Sequence, residues 1–186
     1  NSKIDEERNL LKIWETSMFS KKKEFINDWM RGKYTTEEVL KNVSTDTKTN
    51  YDKLLKEFVK GCESMELNSP QIIPLVHKLQ EKGNKVVIAT NNMDCFTRWT
   101  VPAMKLDVVF DEIINSSDQK ALKKDLDSEG KNLFFKDFFT RNKIDMKDCV
   151  FIDDSVDHDN TISNMGIKYI QIDSSKELPK ILSTFY

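Results

Sequence analysis

The stretch Val150-Phe151-Ile152-Asp153-Asp154-Ser155 constrains the fold of this chain more than any other. Three apolar residues in a row, with no polar alternation, read as a strand buried in a parallel sheet. They run straight into two adjacent acids, and a segment with helix-like spacing follows, with Gly166 at its far end. Open α/β sheets bind ligands outside the carboxyl ends of their strands, which is where these carboxylates fall. Two like charges side by side repel, so a cation is expected between them, and Mg²⁺ is the usual hard ion for carboxylate oxygens. The simpler alternative for the pair is an acidic cap on the following helix.

The same strand-then-helix alternation governs the chain from Asn68 onward. Ser69-Pro70 is an N-cap with proline at the first helical position, and the helix is expected through Ile72, Ile73, Leu75, Val76 and Leu79 to Gly83. Lys85 to Thr90 reads as a second buried strand, and a helix is predicted from about Asp94 to Met104. Val108, Val109, Ile113 and Ile114 predict a strand around a turn at Asp111-Glu112, and Asn115 to Gly130 reads as a polar loop. Phe134, Phe135, Phe138 and Phe139 mark the next helix. After the Val150 strand come a helix to Met165, a strand from Lys168 to Ile172, and a last helix through Leu178, Ile181 and Leu182. This alternation predicts an α/β domain with a parallel, Rossmann-like sheet flanked by helices.

The first third carries no strand signal. Apolar residues at helical spacing fall in four stripes: Leu10, Leu11, Trp14, Met18 and Phe19; Phe25, Ile26, Trp29 and Met30; Val39, Leu40 and Val43 behind a Thr35 or Thr36 cap; and Tyr51, Leu54, Leu55, Phe58 and Val59. The expected division is a small all-helical domain over 1–66 and an α/β core over 67–186.

Composition removes several classes. Acids and bases are interspersed to a net charge of -2, whereas a nucleic-acid footprint needs a basic face. The Lys21-Lys22-Lys23 run is short and reads as a solvated helix start. No apolar run approaches the roughly 20 residues of a membrane span. Cys62, Cys95 and Cys149 are an odd, scattered set, which predicts a reducing, cytoplasmic setting. With His77 and His158 the only histidines, a histidine-based zinc site or a Ser-His-Asp triad has little to draw on. The abundance of Lys, Asn, Ile and Phe hints at an AT-rich bacterial genome.

Other strand ends also carry chemistry. Thr90 ends its strand ahead of Asn91-Asn92, where a hydroxyl and backbone N–H groups can hold a phosphate oxygen, or simply cap a helix. Lys131 opens the phenylalanine-rich helix and can neutralise a phosphoryl group; taken alone it is one surface lysine among many. Asp157, His158 and Asp159 follow the acidic pair by one turn, where a further acid can brace a metal or face solvent.

The order strand-Thr, Lys, strand-Asp-Asp resembles the haloacid dehalogenase (HAD) superfamily. Val86-Val87-Ile88-Ala89-Thr90-Asn91-Asn92 resembles its second motif. Phe151-Ile152-Asp153-Asp154-Ser155, with Gly166 twelve residues after Asp154, resembles the fourth. The helical first third is similar to the four-helix cap of many members, so the resemblance runs from about Asp5 to Ile172. It implies a Mg²⁺-dependent phosphatase with Asp153 and Asp154, and more weakly Asp157, as metal ligands. It implies Thr90 and Lys131 as catalytic groups, and Thr90, Asn91, Asn92 and Lys131 as the substrate-binding set. The implied partner is a phosphorylated small molecule or a phosphoprotein, phosphotyrosine included, with no nucleic acid and no membrane span. A dehalogenase is less expected, because an acidic metal site suits phosphate chemistry.

Three departures qualify the resemblance. The family's first motif, a strand ending in Asp-x-Asp with the nucleophile, has no counterpart: Asp46-Thr47-Lys48 has the wrong neighbours. By family order that strand belongs just before Asn1, and a further N-terminal segment of roughly 10–25 residues is expected there; the alternative is a degenerate member with a rebuilt core. Lys131 is followed by Asn132 where the family has proline, so Lys120, Lys123 and Lys124 compete with it. His158 stands where the family often has Asp or Asn, leaving the third metal-side ligand open between Asp157 and Asp159. The missing motif also supports a second function, a non-catalytic module that binds a phospho-ligand or a protein. A helical interaction module joined to an unrelated α/β domain is a third reading, and it leaves the strand-end order unexplained.

Overall fold

The computed structural model describes residues 23–186. The Leu10–Phe19 stripe and Lys21-Lys22 lie outside the described residues. In chain order the elements are α1 (Lys23–Met30), α2 (Thr36–Thr47), α3 (Tyr51–Glu63), α4 (Ile72–Glu81), β1 (Val87–Thr90), α5 (Val101–Met104), α6 (Leu106–Val109), β2 (Glu112–Asn115), α7 (Ser116–Gln119), α8 (Lys136–Asn142), β3 (Val150–Asp153), β4 (Lys168–Gln171) and α9 (Leu178–Leu182). They form two compact units. One holds residues 23–65 with Thr90–Met104 and Asn115–Leu122; the other holds Glu66–Ala89, Lys105–Ile114 and Lys123–Tyr186.

In the first unit local chemistry sets the helix ends. Thr35 caps α2 in a reciprocal box: its hydroxyl accepts the Glu38 N–H at 3.2 Å, and the Glu38 carboxylate accepts the Thr35 N–H at 2.8 Å. Asn50 caps α3 by accepting the Lys53 N–H at 2.9 Å. The facing stripes bury Trp29, Val39, Leu40, Val43 and Leu54, with Phe25, Ile26, Tyr51, Leu55, Phe58 and Met93 packed against them. Between Asp94 and Met104 the predicted helix forms, but it widens into a π-helical turn over Phe96–Thr100 before α5. Thr100 is buried in that turn and donates its hydroxyl to Cys62 O at 3.0 Å.

Gly32 sits in the tight turn after α1 at φ +64°. A Cβ there would stand 2.5 Å from Ser117 O and 2.5 Å from Lys120 Nζ. Gly32→Ala is therefore expected to cost about 2–4 kcal/mol, combining the left-handed penalty with overpacking. A urea midpoint equal to that of the unaltered protein would contradict this.

In the second unit β3 pairs with β4 in parallel, with Val150 opposite Lys168 and Asp153 opposite Gln171. β1 pairs with β2. The architecture is α/β with parallel strands, as the alternation predicted. The strands are less buried than their apolar runs suggested. Every residue of β1 is half-buried, and Val150 in β3 is exposed, because each strand has one hydrogen-bonded neighbour among the described residues.

Four local expectations are corrected. Val108 and Val109 lie in α6, not in a strand. Leu106 is buried while Val108 is 78% exposed, so only one face of this short helix is covered. Asn115 to Gly130 is not a plain polar loop: β2 ends at Asn115, α7 follows, and Leu126 bridges Asn132. Phe134 and Phe135 precede α8, although all four phenylalanines are buried. The helix predicted up to Met165 is two 3-10 turns, His158–Asn160 and Ser163–Met165. Left-handed Asp159 (φ +62°) and Asn160 (φ +52°) interrupt it. Among the described residues no helix is long and apolar enough to cross a membrane.

Candidate active site

Pairing with β4 carries β3 to its end: the Ile172 N–H donates to Asp153 O at 3.0 Å. The Asp153 side chain therefore emerges at the carboxyl end of a parallel strand, and the residue is only 8% exposed. One carboxylate oxygen accepts the Ser155 N–H at 2.8 Å, and the other accepts a hydrogen bond from Lys123 Nζ. Burial alone would raise the Asp153 carboxyl. The Lys123 ammonium and the Ser155 N–H outweigh it and hold the group below the ordinary carboxylate value, so the residue is ionised.

Lys123 reaches Asp153 along an aromatic shelf. Its ammonium lies 5.4 Å from the centre of the Phe151 ring, which packs against Phe135 at 5.7 Å and Tyr169 at 5.8 Å. The turn beyond the acids is held from two sides. Tyr169 donates its hydroxyl to Ser155 O at 2.5 Å, and Lys124 Nζ donates to Val156 O at 2.5 Å. Burial, with Asp153, Asp157 and Asp154 nearby, pushes the Tyr169 phenol up to about 12, so it stays a donor. Asp154 is exposed on this turn.

The other candidates are placed as follows. Lys131 stands at the tip of a hairpin, paired with Glu129 at 2.6 Å, with both side chains 69% exposed. The structure brings Lys123, not Lys131, to the acidic pair, because the polar stretch folds back at Leu126–Asn132 and carries Lys131 onto its tip. Asp157 turns away from the pair. Its carboxylate accepts Ile162 N–H at 3.1 Å, Ser163 N–H at 2.9 Å and Ser163 Oγ–H at 2.8 Å. Burial would raise this carboxyl, and the Ser163 and Ile162 amides bring it down.

Thr90, Asn91 and Asn92 belong to the first unit, at the end of β1. There the Asn92 N–H donates to Ser116 Oγ at 2.9 Å, and Ser116 donates to Met30 O at 2.7 Å. Asn115 Nδ2 donates to Met93 O and Thr97 Oγ1, each at 2.9 Å. Asn115 and Ser116 are fully buried, and Asn115 Oδ1 has no hydrogen-bond partner among the described residues. Sequence reading passed over this pair as loop. The available signal was its position, directly after the apolar Ile113-Ile114 just as Thr90-Asn91 follows Ile88-Ala89.

Among the described residues no three or more His, Cys, Asp or Glu side chains converge into a metal cage. The donor chemistry of Asp153 and Asp154 nevertheless fits Mg²⁺, which binds through one or two carboxylates and takes its other ligands from water and substrate phosphate. An ionised carboxylate and an ammonium at one strand end make a centre that can handle an anionic substrate.

A family model described as haloacid dehalogenase-like hydrolase matches residues 5–160. The chain belongs to that family. As a HAD-like hydrolase it is also similar in fold to solved bacterial members. One is a HAD family enzyme from Bacteroides thetaiotaomicron, described as an aspartate-to-alanine mutant in complex with magnesium and inorganic phosphate. It is 21% identical over 88% of this chain and 83% of that chain, with a TM-score of 0.65. The magnesium complex of the same enzyme is 20% identical over 89% and 83%, with a TM-score of 0.66. A predicted HAD-like family hydrolase from Porphyromonas gingivalis is 16% identical over 97% and 89%, with a TM-score of 0.70. No curated protein matches the chain.

Proposed function

We propose that this HAD-like hydrolase is a Mg²⁺-dependent phosphomonoesterase that works through an aspartyl-phosphate. The observation that carries the reading is the Asp153–Lys123 pair at the end of β3. Asp153 and Asp154 would hold Mg²⁺, with Asp157 left to its turn. Bound there, the ion would offset the repulsion between an anionic nucleophile and a phosphate. Lys123, in place of the exposed Lys131, would donate to a phosphoryl oxygen and stabilise the charge that develops in the transition state.

The attacking carboxylate is assigned to a segment before residue 1. It attacks phosphorus in line, the alcohol leaves, and water then hydrolyses the acyl phosphate, returning the carboxylate and releasing inorganic phosphate. Among the described residues β1 pairs only with β2 and β3 only with β4, in two separate two-stranded sheets, and the open edges of these apolar strands leave room for a further strand. The relative described with magnesium and inorganic phosphate supports the same ion and the same leaving product. The substrate class is a phosphomonoester, on a small molecule or on a phosphoprotein.

The test is hydrolysis of p-nitrophenyl phosphate by the full-length protein. Turnover is expected with Mg²⁺, lost on chelation and restored when Mg²⁺ is added back. Turnover indifferent to chelation would remove the metal from the reading, and no release of phosphate from any monoester would remove the phosphatase.

A further inference from the structure

We propose that Asn132 is the positioning residue that holds Lys123 against Asp153. The inference rests on the reading that Lys123 serves the phosphoryl group. Asn132 is only 7% exposed, and both ends of its amide are engaged. Nδ2 donates to Lys123 O at 2.7 Å, and Oδ1 accepts the Phe135 N–H at 2.9 Å. Between Lys123 and Asn132 the chain makes a closed excursion. Leu126 bridges Asn132, Leu133 N–H donates to Asp125 O at 2.9 Å, and Asp127 N–H donates to Lys131 O at 2.9 Å. At the tip, the Asp127 carboxylate accepts the Glu129 and Lys131 N–H groups, each at 2.9 Å. Asn132 therefore closes the base of a hairpin whose first residue is Lys123.

The geometry gives this closure a chemical consequence. A lysine side chain is long and carries about 2 kcal/mol of rotamer entropy, so the place where it is rooted decides where its ammonium can dwell. Asn132 fixes that root through the Lys123 carbonyl. Its other end fixes Phe135, whose ring packs edge-on against Phe151, the ring beneath the ammonium. One amide thus sets both the origin of the Lys123 side chain and the shelf it crosses. Only a side chain with both a donor and an acceptor does this. Aspartate keeps the acceptor for Phe135 and loses the donor for Lys123, which separates the two bonds.

The experiment compares the full-length protein with N132D, N132A, K123A and N132D/K123A. The first readout is competitive acetylation of each lysine, followed by mass spectrometry, which does not depend on turnover. Lys123 is shielded and paired in the native protein, so its labelling should rise about 5–10-fold in both N132D and N132A through local opening, with Lys168 and other distant lysines unchanged. The second readout is p-nitrophenyl phosphate turnover with Mg²⁺. N132D should lower kcat about 10–100-fold with a smaller change in KM, and should cost nothing further in the K123A background.

Native-level labelling of Lys123 in N132D overturns the proposal whatever the turnover does. So does labelling that rises in N132A alone, which would trace to the Phe135 bond, or a kcat loss that adds to that of K123A. If labelling rises while both N132D and K123A turn over like the unaltered protein, Asn132 does hold Lys123, and the phosphoryl role of Lys123 is what fails. If N132D raises labelling at every lysine, the fold is lost, and N132L, which removes both the donor and the acceptor, is read by the same labelling and turnover criteria.

Discussion

Asp153→Asn is expected to lower Mg²⁺-dependent turnover by about 10²–10³-fold or more, the scale of removing one preorganised charge from a transition-state site. The amide is nearly isosteric, so its oxygen can still accept the Ser155 N–H that now reaches Asp153 at 2.8 Å. What disappears is negative charge. A neutral amide oxygen is a poorer ligand for a hard cation, and the Lys123 ammonium loses the carboxylate that anchors it. Both side chains of the pair are largely covered, 15% and 6% exposed, so water compensates little for the lost attraction. Steady-state kinetics across a Mg²⁺ titration checks this. A variant with unaltered kcat and unaltered Mg²⁺ dependence would end the assignment of Asp153 as a ligand.

The second large effect concerns Asp94, four residues beyond Thr90. Its half-buried carboxylate gathers the first unit: it accepts Trp29 Nε1–H at 3.1 Å, Thr36 N–H at 3.2 Å, Thr36 Oγ–H at 2.6 Å and Arg98 Nη1–H at 2.9 Å. Burial would raise this carboxyl, but the Thr36, Arg98 and Trp29 donors together hold it below its ordinary value. Asp94→Ala leaves Trp29 and Thr36, 1% and 0% exposed, without this acceptor. The expected loss is about 3–5 kcal/mol, the scale of orphaned buried donors and a broken partly buried ion pair. The neighbouring Arg98–Glu37 pair, 42% and 35% exposed, offsets little of it.

The sign of the pH dependence follows from the lowered value. A depressed carboxyl contributes stability above its unfolded value, near 4, and that contribution is lost as pH falls through the folded value. Urea midpoints should therefore fall below about pH 4 in the unaltered protein and fall less steeply in the alanine variant. Equal midpoints for the two proteins at neutral pH would show that Asp94 is dispensable.

Much of this arrangement can be read without coordinates. The acidic pair at the end of Val150-Phe151-Ile152 stands where the apolar run put it, because three β-forming residues followed by two charges leave a parallel strand only one polar end. The cap of α2, expected at Thr35 or Thr36 and found at Thr35, was equally legible, since a capping side chain and the N–H it accepts from lie within three residues. Trp29, Val39 and Leu54 were recognisable from helical spacing as members of one covered face. The left-handed Asp159 and Asn160 were not, because Asp and Asn enter that region more readily than other non-glycine residues but also sit comfortably in a helical turn, so residue type alone does not place them there.

The sequence by itself determined the α/β order, the threonine cap of α2, the covered stripes of the described helices and the strand end at Asp153, whereas α4 starts at Ile72, two residues after the Ser69-Pro70 start that was expected. The features it determined arise from interactions within a few residues or from the period of the apolar pattern. The tertiary structure alone decided which lysine meets Asp153, since Lys123 is 30 positions away and four lysines of similar local character compete along a folding loop. It also decided that Asp157 caps a turn, that Asn115 and Ser116 are buried, and that Asp94 binds Trp29 across 65 positions. A polar group can be buried only where a partner waits for it, and in these cases the partners come from elements far away in the chain, which only the folded arrangement brings near.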